Sequence, residues 1–214
     1  MSAPNVPRLK LWYSPGACSF APHALLLESG LSFQLILSQV GSFTDDFMSL
    51  NPKGRVPVLA MDEELVTEMP AILTAISQHV PDRHLLGKTP LETIRVYEWL
   101  NYLSGTVHGQ GYGALWRLAR YIEDPMLYAQ VQQKGLETIK ECYAYIEGKL
   151  IENKTTYLVG QSLTATDFFL FVIYRWGLRA NINMKVEYLW MTAWADRLLE
   201  EKSVLGALKV HTNV

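Results

Sequence analysis

Apolar and polar positions along this 214-residue chain keep two different rhythms, and the change falls near residue 87. Before it, short alternating runs trade places with helical ones. Leu9–Tyr13 alternates as a half-buried strand does, Phe20–Ser29 carries helical spacing closed by Gly30, and Phe33–Leu37 alternates again. A helix between two such strands must return the chain to the same edge of a sheet, so this βαβ unit predicts a parallel pair with a right-handed crossover. A short helix over Asp45–Leu50 follows. Val58–Met61, the polar turn Asp62-Glu63-Glu64 and Leu65-Val66 then predict an antiparallel hairpin, after which Ile72, Leu73, Ile76 and Val80 fall at helical spacing. The order βαβαββα is that of a small mixed sheet with helices on its faces.

The stretch 81–90 collects Pro81, Pro90, Gly87 and several charges and reads as a connection. Beyond it strand signals vanish. Apolar residues three and four apart predict helices over 91–122, 126–152, 165–180 and 186–200, with breaks at Asp124-Pro125 and Asn153-Lys154. The expected organisation is an α/β domain over 1–86, a linker over 87–90 and an all-helical bundle over 91–214.

Composition narrows the function classes. Hydrophobic residues at 49% against 19% charged place the chain among compact globular proteins. A net charge of -2 supplies no basic footprint, so nucleic acid is not expected as a partner. The most apolar run, 168–174, is bracketed by Asp167 and Arg175 and is far shorter than the roughly 20 residues that cross a bilayer, so no membrane span is expected. Residues 1–8 lack the apolar core and cleavage site of a signal peptide and read as a short frayed leader. Cys18 and Cys142 are too few for a disulfide framework and match no zinc spacing, which points to a reducing cytosol and no metal. His23, His79, His84 and His211 read as surface or helix-end residues, since no pair of them sits at a helix-face spacing with a third donor.

Three segments carry candidate chemistry. In Tyr13-Ser14-Pro15-Gly16-Ala17-Cys18-Ser19 a turn leaves a strand and enters a helix, so the Ser14 hydroxyl and the Cys18 thiol lie near unpaired main-chain N–H groups that favour an anion. A thiol with its ordinary pKa of roughly 8.5 is about 3% ionised at pH 7, and a downward shift of about two units, roughly 2.7 kcal/mol, makes most of it thiolate. The plainer reading of Cys18 is a small buried hydrophobe, and of Ser14 an ordinary turn residue. In Asn51-Pro52-Lys53-Gly54-Arg55-Val56-Pro57-Val58-Leu59 a turn feeds a strand through a proline, which makes Val56-Pro57 a candidate cis bond that leaves the Val56 N–H and C=O for an extended peptide. The alternative is a simple loop into an edge strand. In Thr67-Glu68-Met69-Pro70-Ala71 a carboxylate stands at the mouth of a helix, either as a cap or as the acceptor of a ligand ammonium whose carboxylate meets the helix N-terminus.

Together these segments resemble the glutathione-binding half of cytosolic glutathione transferases, and the resemblance spans nearly the whole chain. Tyr13 to Ser19 is similar to the beta-class active-site turn, Asn51 to Leu59 to the family's cis-proline strand, and Glu68 falls in its acidic head-group motif. Glu98-Trp99-Leu100-Asn101-Tyr102, followed by His108, resembles the beta-class segment that reaches over the bound tripeptide. Ser162-Leu163-Thr164-Ala165-Thr166-Asp167 resembles the family's buried helix-capping motif, a structural element.

The resemblance implies a thioredoxin-like first domain, glutathione as co-substrate, a hydrophobic small-molecule partner and a homodimer. It implies Ser14, Cys18 and His108 as catalytic residues, and Tyr13, Arg55, Val56, Pro57, Glu68, Met69 and Asn101 as glutathione-binding ones. Tyr112 and Trp116 are candidates for the apolar pocket, although helix aromatics are more often core. Met69 stands where many family members have a serine, leaving only a backbone N–H there, and Arg55 replaces the more usual glutamine or lysine. Conjugation to an electrophile is the expected activity, through a glutathione thiolate stabilised by Ser14. Cis/trans isomerisation of a conjugated alkene, thiol reduction through Cys18 and a non-catalytic binding role stand as alternatives.

Overall fold

The computed structural model describes residues 7–153 and 155–211. Strands β1 (Leu9–Tyr13), β2 (Phe33–Leu37), β3 (Val58–Met61) and β4 (Glu64–Thr67) form one sheet in the order β2-β1-β3-β4. β1 and β2 run parallel with Leu11 opposite Leu35, whereas β3 is antiparallel to both β1 and β4. Helix α1 (Phe20–Ser29) makes the crossover and stops at Gly30, whose φ of 74° is the left-handed conformation that glycine adopts without a Cβ penalty. Helix α2 (Asp45–Leu50) starts from Thr44, whose hydroxyl accepts from the Phe47 N–H, and covers a small apolar cluster of Phe47, Val56 and Val58. Helix α3 (Met69–Gln78) packs beside α1 in the main core.

The leader expected over residues 1–8 lies largely outside the described residues. Arg8, however, is tied down: its N–H donates to the Asp62 carboxylate at 3.0 Å and its C=O accepts from the Asp62 N–H.

The single helix expected over 91–122 is three pieces. Helix α4 (Pro90–Asn101) opens with a capping box between Thr89 and Glu92, a π-helical stretch covers Tyr102–Tyr112, and α5 (Gly113–Trp116) ends the rod. Gly105, Gly109, Gly111 and Gly113 weaken the ordinary α-helical preference here, and wide π turns of this kind recur at functional sites. A 3₁₀ turn over Leu118–Arg120 then leads toward α6 (Tyr128–Asn153). The segment expected as one helix over 186–200 is α8 (Met184–Glu187) and α9 (Leu189–Leu198), separated where Tyr188 leaves the helical region at φ -138° and ψ 72°.

Helix α7 (Ala165–Arg179) is apolar nearly all round and runs through the core, with Phe168, Phe169, Leu170 and Ile173 fully buried. Helix α10 (Lys202–His211), which the apolar spacing did not predict, returns to the first half of the chain and packs on α1. Among the described residues no helix is long and apolar enough to cross a membrane.

Close helix approach in the second half depends on glycine. A Cβ on Gly135 of α6 would lie 2.8 Å from the Leu115 nitrogen and 3.0 Å from the Ala114 carbonyl carbon, both backbone atoms that cannot swing aside. One on Gly148 of the same helix would meet nothing within 4 Å. Gly148→Ala is therefore expected to stabilise by up to about 1 kcal/mol through helix propensity. Gly135→Ala is expected to lose about 1–3 kcal/mol in spite of it. Urea unfolding midpoints of the pair check this, and equal shifts would contradict the close contact.

Candidate active site

The chain leaves β1 into a turn that folds back on itself. The Ser14 N–H donates to the Ser19 hydroxyl at 3.0 Å, and that hydroxyl donates to the Ser14 C=O at 3.1 Å. Gly16 takes φ 71°, and its C=O accepts from the Trp176 indole of α7 at 3.0 Å, so the turn is pinned to the helical half. The Ser14 hydroxyl is buried and accepts from the Val40 N–H at 3.1 Å, which leaves its own proton to be donated elsewhere.

Cys18 stands at the same corner, and its surroundings match the small buried hydrophobe of the two readings. It is buried, its sulfur donates to the Val56 C=O at 3.6 Å, and burial pushes its pKa up to about 11. The charge of Arg117 and the N–H groups of Cys18 and Ser19 act in the opposite direction. Desolvation outweighs them because the helix-end N–H groups favour an anion only as far as the site can hydrate or pair it.

The second loop is held by Asn51, whose amide donates to the Arg55 C=O at 2.7 Å, and by Gly54 at φ 58°. The Val56-Pro57 bond is cis, and the Val56 N–H has no partner among the described residues. In the third, Glu68 takes φ 72°, an uncommon conformation for a residue with a side chain, at the start of α3. Its carboxylate pairs with Lys53, whose ammonium also donates to the Thr67 hydroxyl at 2.7 Å. Met69 is buried in the first turn of α3, where backbone N–H groups lack intrahelical partners.

These loops form one wall of a cleft of about 730 Å³, and the π-helical stretch, α5 and α7 form the other. His108 lines it from the π-helical stretch, and its Nε2 is buried without a hydrogen-bond partner among the described residues. Burial, followed by the charges of Arg117, Arg55 and Arg120, lowers the His108 pKa to about 4, so the ring is neutral at pH 7. Tyr112, Trp116 and Trp176 supply an aromatic wall, with the Trp116 ring centroid 4.7 Å from Tyr112 and 5.3 Å from Trp176.

Of the ten candidate residues, eight line this cleft: Ser14, Cys18, Arg55, Val56, Pro57, Glu68, Met69 and His108. Tyr13 and Asn101 do not. The Tyr13 ring packs 5.2 Å from that of His211, while Asn101 is exposed on α4 with its amide on the Tyr97 C=O. His23 and His211 are not surface residues either: they are 2% and 1% exposed, with rings 5.4 Å apart where α10 meets α1. Spacing alone hid this pairing, because 188 positions separate the two. Sequence reasoning also passed over Lys53, Arg117 and Trp176. Lys53 was detectable as the cation opposite Glu68, whereas Arg117 and Trp176 carry no local signal. No group of three or more His, Cys, Asp or Glu side chains among the described residues is arranged to hold a metal ion.

Comparison with known proteins agrees with this geometry. Residues 7–78 match the family model "Glutathione S-transferase, N-terminal domain", and residues 116–202 match "Glutathione S-transferase, C-terminal domain". The chain is 34% identical over 210 residues to glutathione S-transferase GstA of Escherichia coli O157:H7, covering 94% of this chain and 97% of that one. A sphingomonad glutathione S-transferase complexed with glutathione superposes with TM-score 0.83 at 28% identity, covering 96% of this chain and 100% of the other. The bacterial beta-class enzyme of Sphingomonas chungbukensis does so with TM-score 0.83 at 29% identity and the same coverage.

Proposed function

Because the chain belongs to the glutathione S-transferase family, we propose that it binds glutathione along Val56 and Glu68 and transfers its sulfur to a small electrophile lying against the helical wall. The observation that carries this reading is the convergence of Ser14, Val56, Glu68 and His108 on one cleft. The Glu68-Lys53 pair and the open first turn of α3 offer complementary charges to an α-amino acid head group. The unpaired Val56 N–H suits an extended peptide. The Ser14 hydroxyl, with its proton free to donate, and the neutral His108 ring suit a thiolate at the far end, in the field of Arg117.

The thiol proton leaves to solvent as glutathione binds, and the thiolate then adds to the electrophilic carbon. If a leaving group departs, the product is a conjugate; if the adduct of a conjugated alkene rotates and expels the thiolate, the product is an isomer. Burial of Cys18 favours both over a mixed-disulfide mechanism. We further propose that the division between the two halves falls near residue 87. A homodimer is supported by Leu91 and Ile94, both exposed on the α4 face that also carries Asn101. Two buried free cysteines suit a reducing compartment.

Glutathione titrated into the protein by calorimetry, with thiolate absorbance followed in parallel, tests the reading; no heat and no absorbance at millimolar ligand would refute it. Glu68→Gln removes the charge that meets the ammonium and is expected to weaken glutathione binding about 10- to 100-fold, the range of one charge-assisted hydrogen bond. Cys18→Ala is expected to leave turnover within about threefold, whereas a loss comparable to that of Ser14→Ala would return the mechanism to Cys18.

A further inference from the structure

The cleft is strongly cationic in a chain whose net charge is -2. Among the described residues, Lys53, Arg55, Arg117, Arg120 and Arg179 line it, against the single carboxylate of Glu68. Lys53 is already paired with Glu68, but none of the four arginines forms an ion pair among the described residues. Burial, then the neighbouring charges of Arg117 and Arg55, lowers the Arg120 pKa, so these guanidinium groups repel one another. Like charges gathered without a counter-ion cost stability unless an anion arrives to pair with them.

Glutathione accounts for part of this charge. Bound as thiolate it carries about two net negative charges, from two carboxylates, one sulfur and one ammonium. The remainder lies on the helical side, beyond the head-group motif. Arg179 stands 5.4 Å over the Trp116 ring, and Trp116 meets Trp176 edge to face, so cations border a flat aromatic surface. An apolar electrophile would use the rings and leave the guanidinium groups unpaired.

Resting on the glutathione transferase reading, we propose that the second substrate is a planar aromatic or conjugated electrophile bearing a carboxylate, stacked on Trp116 with its acid group met by Arg120 and Arg179. This acid requirement separates the site from a purely apolar pocket. Arginine suits the role because its planar fork pairs with a carboxylate through two hydrogen bonds and stacks on rings at the same time.

The test is a matched pair of probes, 4-chloro-3-nitrobenzoate and its methyl ester, with binding read by quenching of tryptophan fluorescence in the presence of S-methylglutathione. The acid is expected to bind at least 10-fold more tightly than the ester, and the preference is expected to shrink as salt rises from 50 to 500 mM, on the order of a threefold shorter screening length. Arg120→Gln with Arg179→Gln is expected to bring the ratio near unity while glutathione affinity holds. With glutathione itself, product forms as sulfur bonds to the ring carbon and chloride leaves with the C–Cl electron pair. Equal or weaker binding of the acid, no binding of either probe, or a ratio unchanged in the double variant overturns the proposal. Failure of glutathione to bind overturns the transferase reading instead, and the acid-to-ester ratio of the free protein then decides the anion site by itself.

Discussion

Replacing Asp167 with alanine is expected to remove about 3–5 kcal/mol of folding stability, enough to leave a typical domain largely unfolded well below its normal midpoint. The carboxylate is fully buried and accepts from the Leu158 N–H at 2.8 Å, the Thr164 N–H at 2.9 Å, the Thr164 hydroxyl at 2.9 Å and the Trp194 indole at 3.2 Å. Those donors come from the loop before α7, from its N-cap and from α9, so one side chain ties three segments. Burial raises the Asp167 pKa to about 6, with the hydrogen bonds holding it from rising further. Alanine leaves the donors buried without acceptors, each at about 1–3 kcal/mol. Asparagine is expected to lose less, because its oxygen still accepts while its amide faces donors. Chemical denaturation with the m-value checked for constancy measures both; a loss under about 1 kcal/mol for alanine would show that water or neighbouring groups take over the carboxylate's bonds.

Acid is expected to weaken the fold well before carboxylates in general are protonated, because His23 and His211 are held neutral. Burial lowers the His23 pKa to about 4. Burial, then the proximity of His23 and the charge of Arg175, lowers that of His211 to about 3. Among the described residues, the rings of Tyr13, Phe20 and Phe33 complete the surroundings. In the unfolded chain both histidines take up protons below about pH 6.5, so between there and pH 4 the unfolded state binds more protons and stability falls as pH falls. The loss is on the order of 3 kcal/mol per histidine by pH 4. His108, lowered to about 4, acts in the same direction, and Asp167, raised to about 6, acts against it. Three groups outweigh one. His211→Leu also removes two buried ring nitrogens that have no partner among the described residues. Its unfolding free energy is expected to depend less steeply on pH between 6.5 and 4, and a slope identical to that of the parent protein would rule the pair out as the cause.

The second effect bears on function through the joint between α10 and α1. Helix α10 holds α1, α1 carries the turn with Ser14, and Trp176 pins that turn to the helical half. Loosening the His23–His211 contact frees one side of the cleft without touching a residue that meets the ligand, so activity is expected to fall with the same pH profile as stability.

Local pattern determined a great deal by itself. Period-two alternation and helical spacing specify β1, α1, β2 and β3 nearly to the residue and the presence of α3 without its bounds, since Val80 lies beyond the end of that helix. The Thr164–Asp167 capping box, the turn at Ser14 and the Val56-Pro57 bond are equally local, since their partners lie within a few positions in the chain. Tertiary structure alone decided the rest. The rise of the Cys18 pKa follows from burial, which outweighs the lowering by the N–H groups of its own turn. The close approach of Gly111 to Ile139 of α6 is likewise absent from the local pattern of the π-helical stretch. The His23–His211 pair and the arginine-lined wall bring together side chains from helices far apart in sequence, and burial and electric field are properties of that assembled neighbourhood, which no periodicity along the chain encodes.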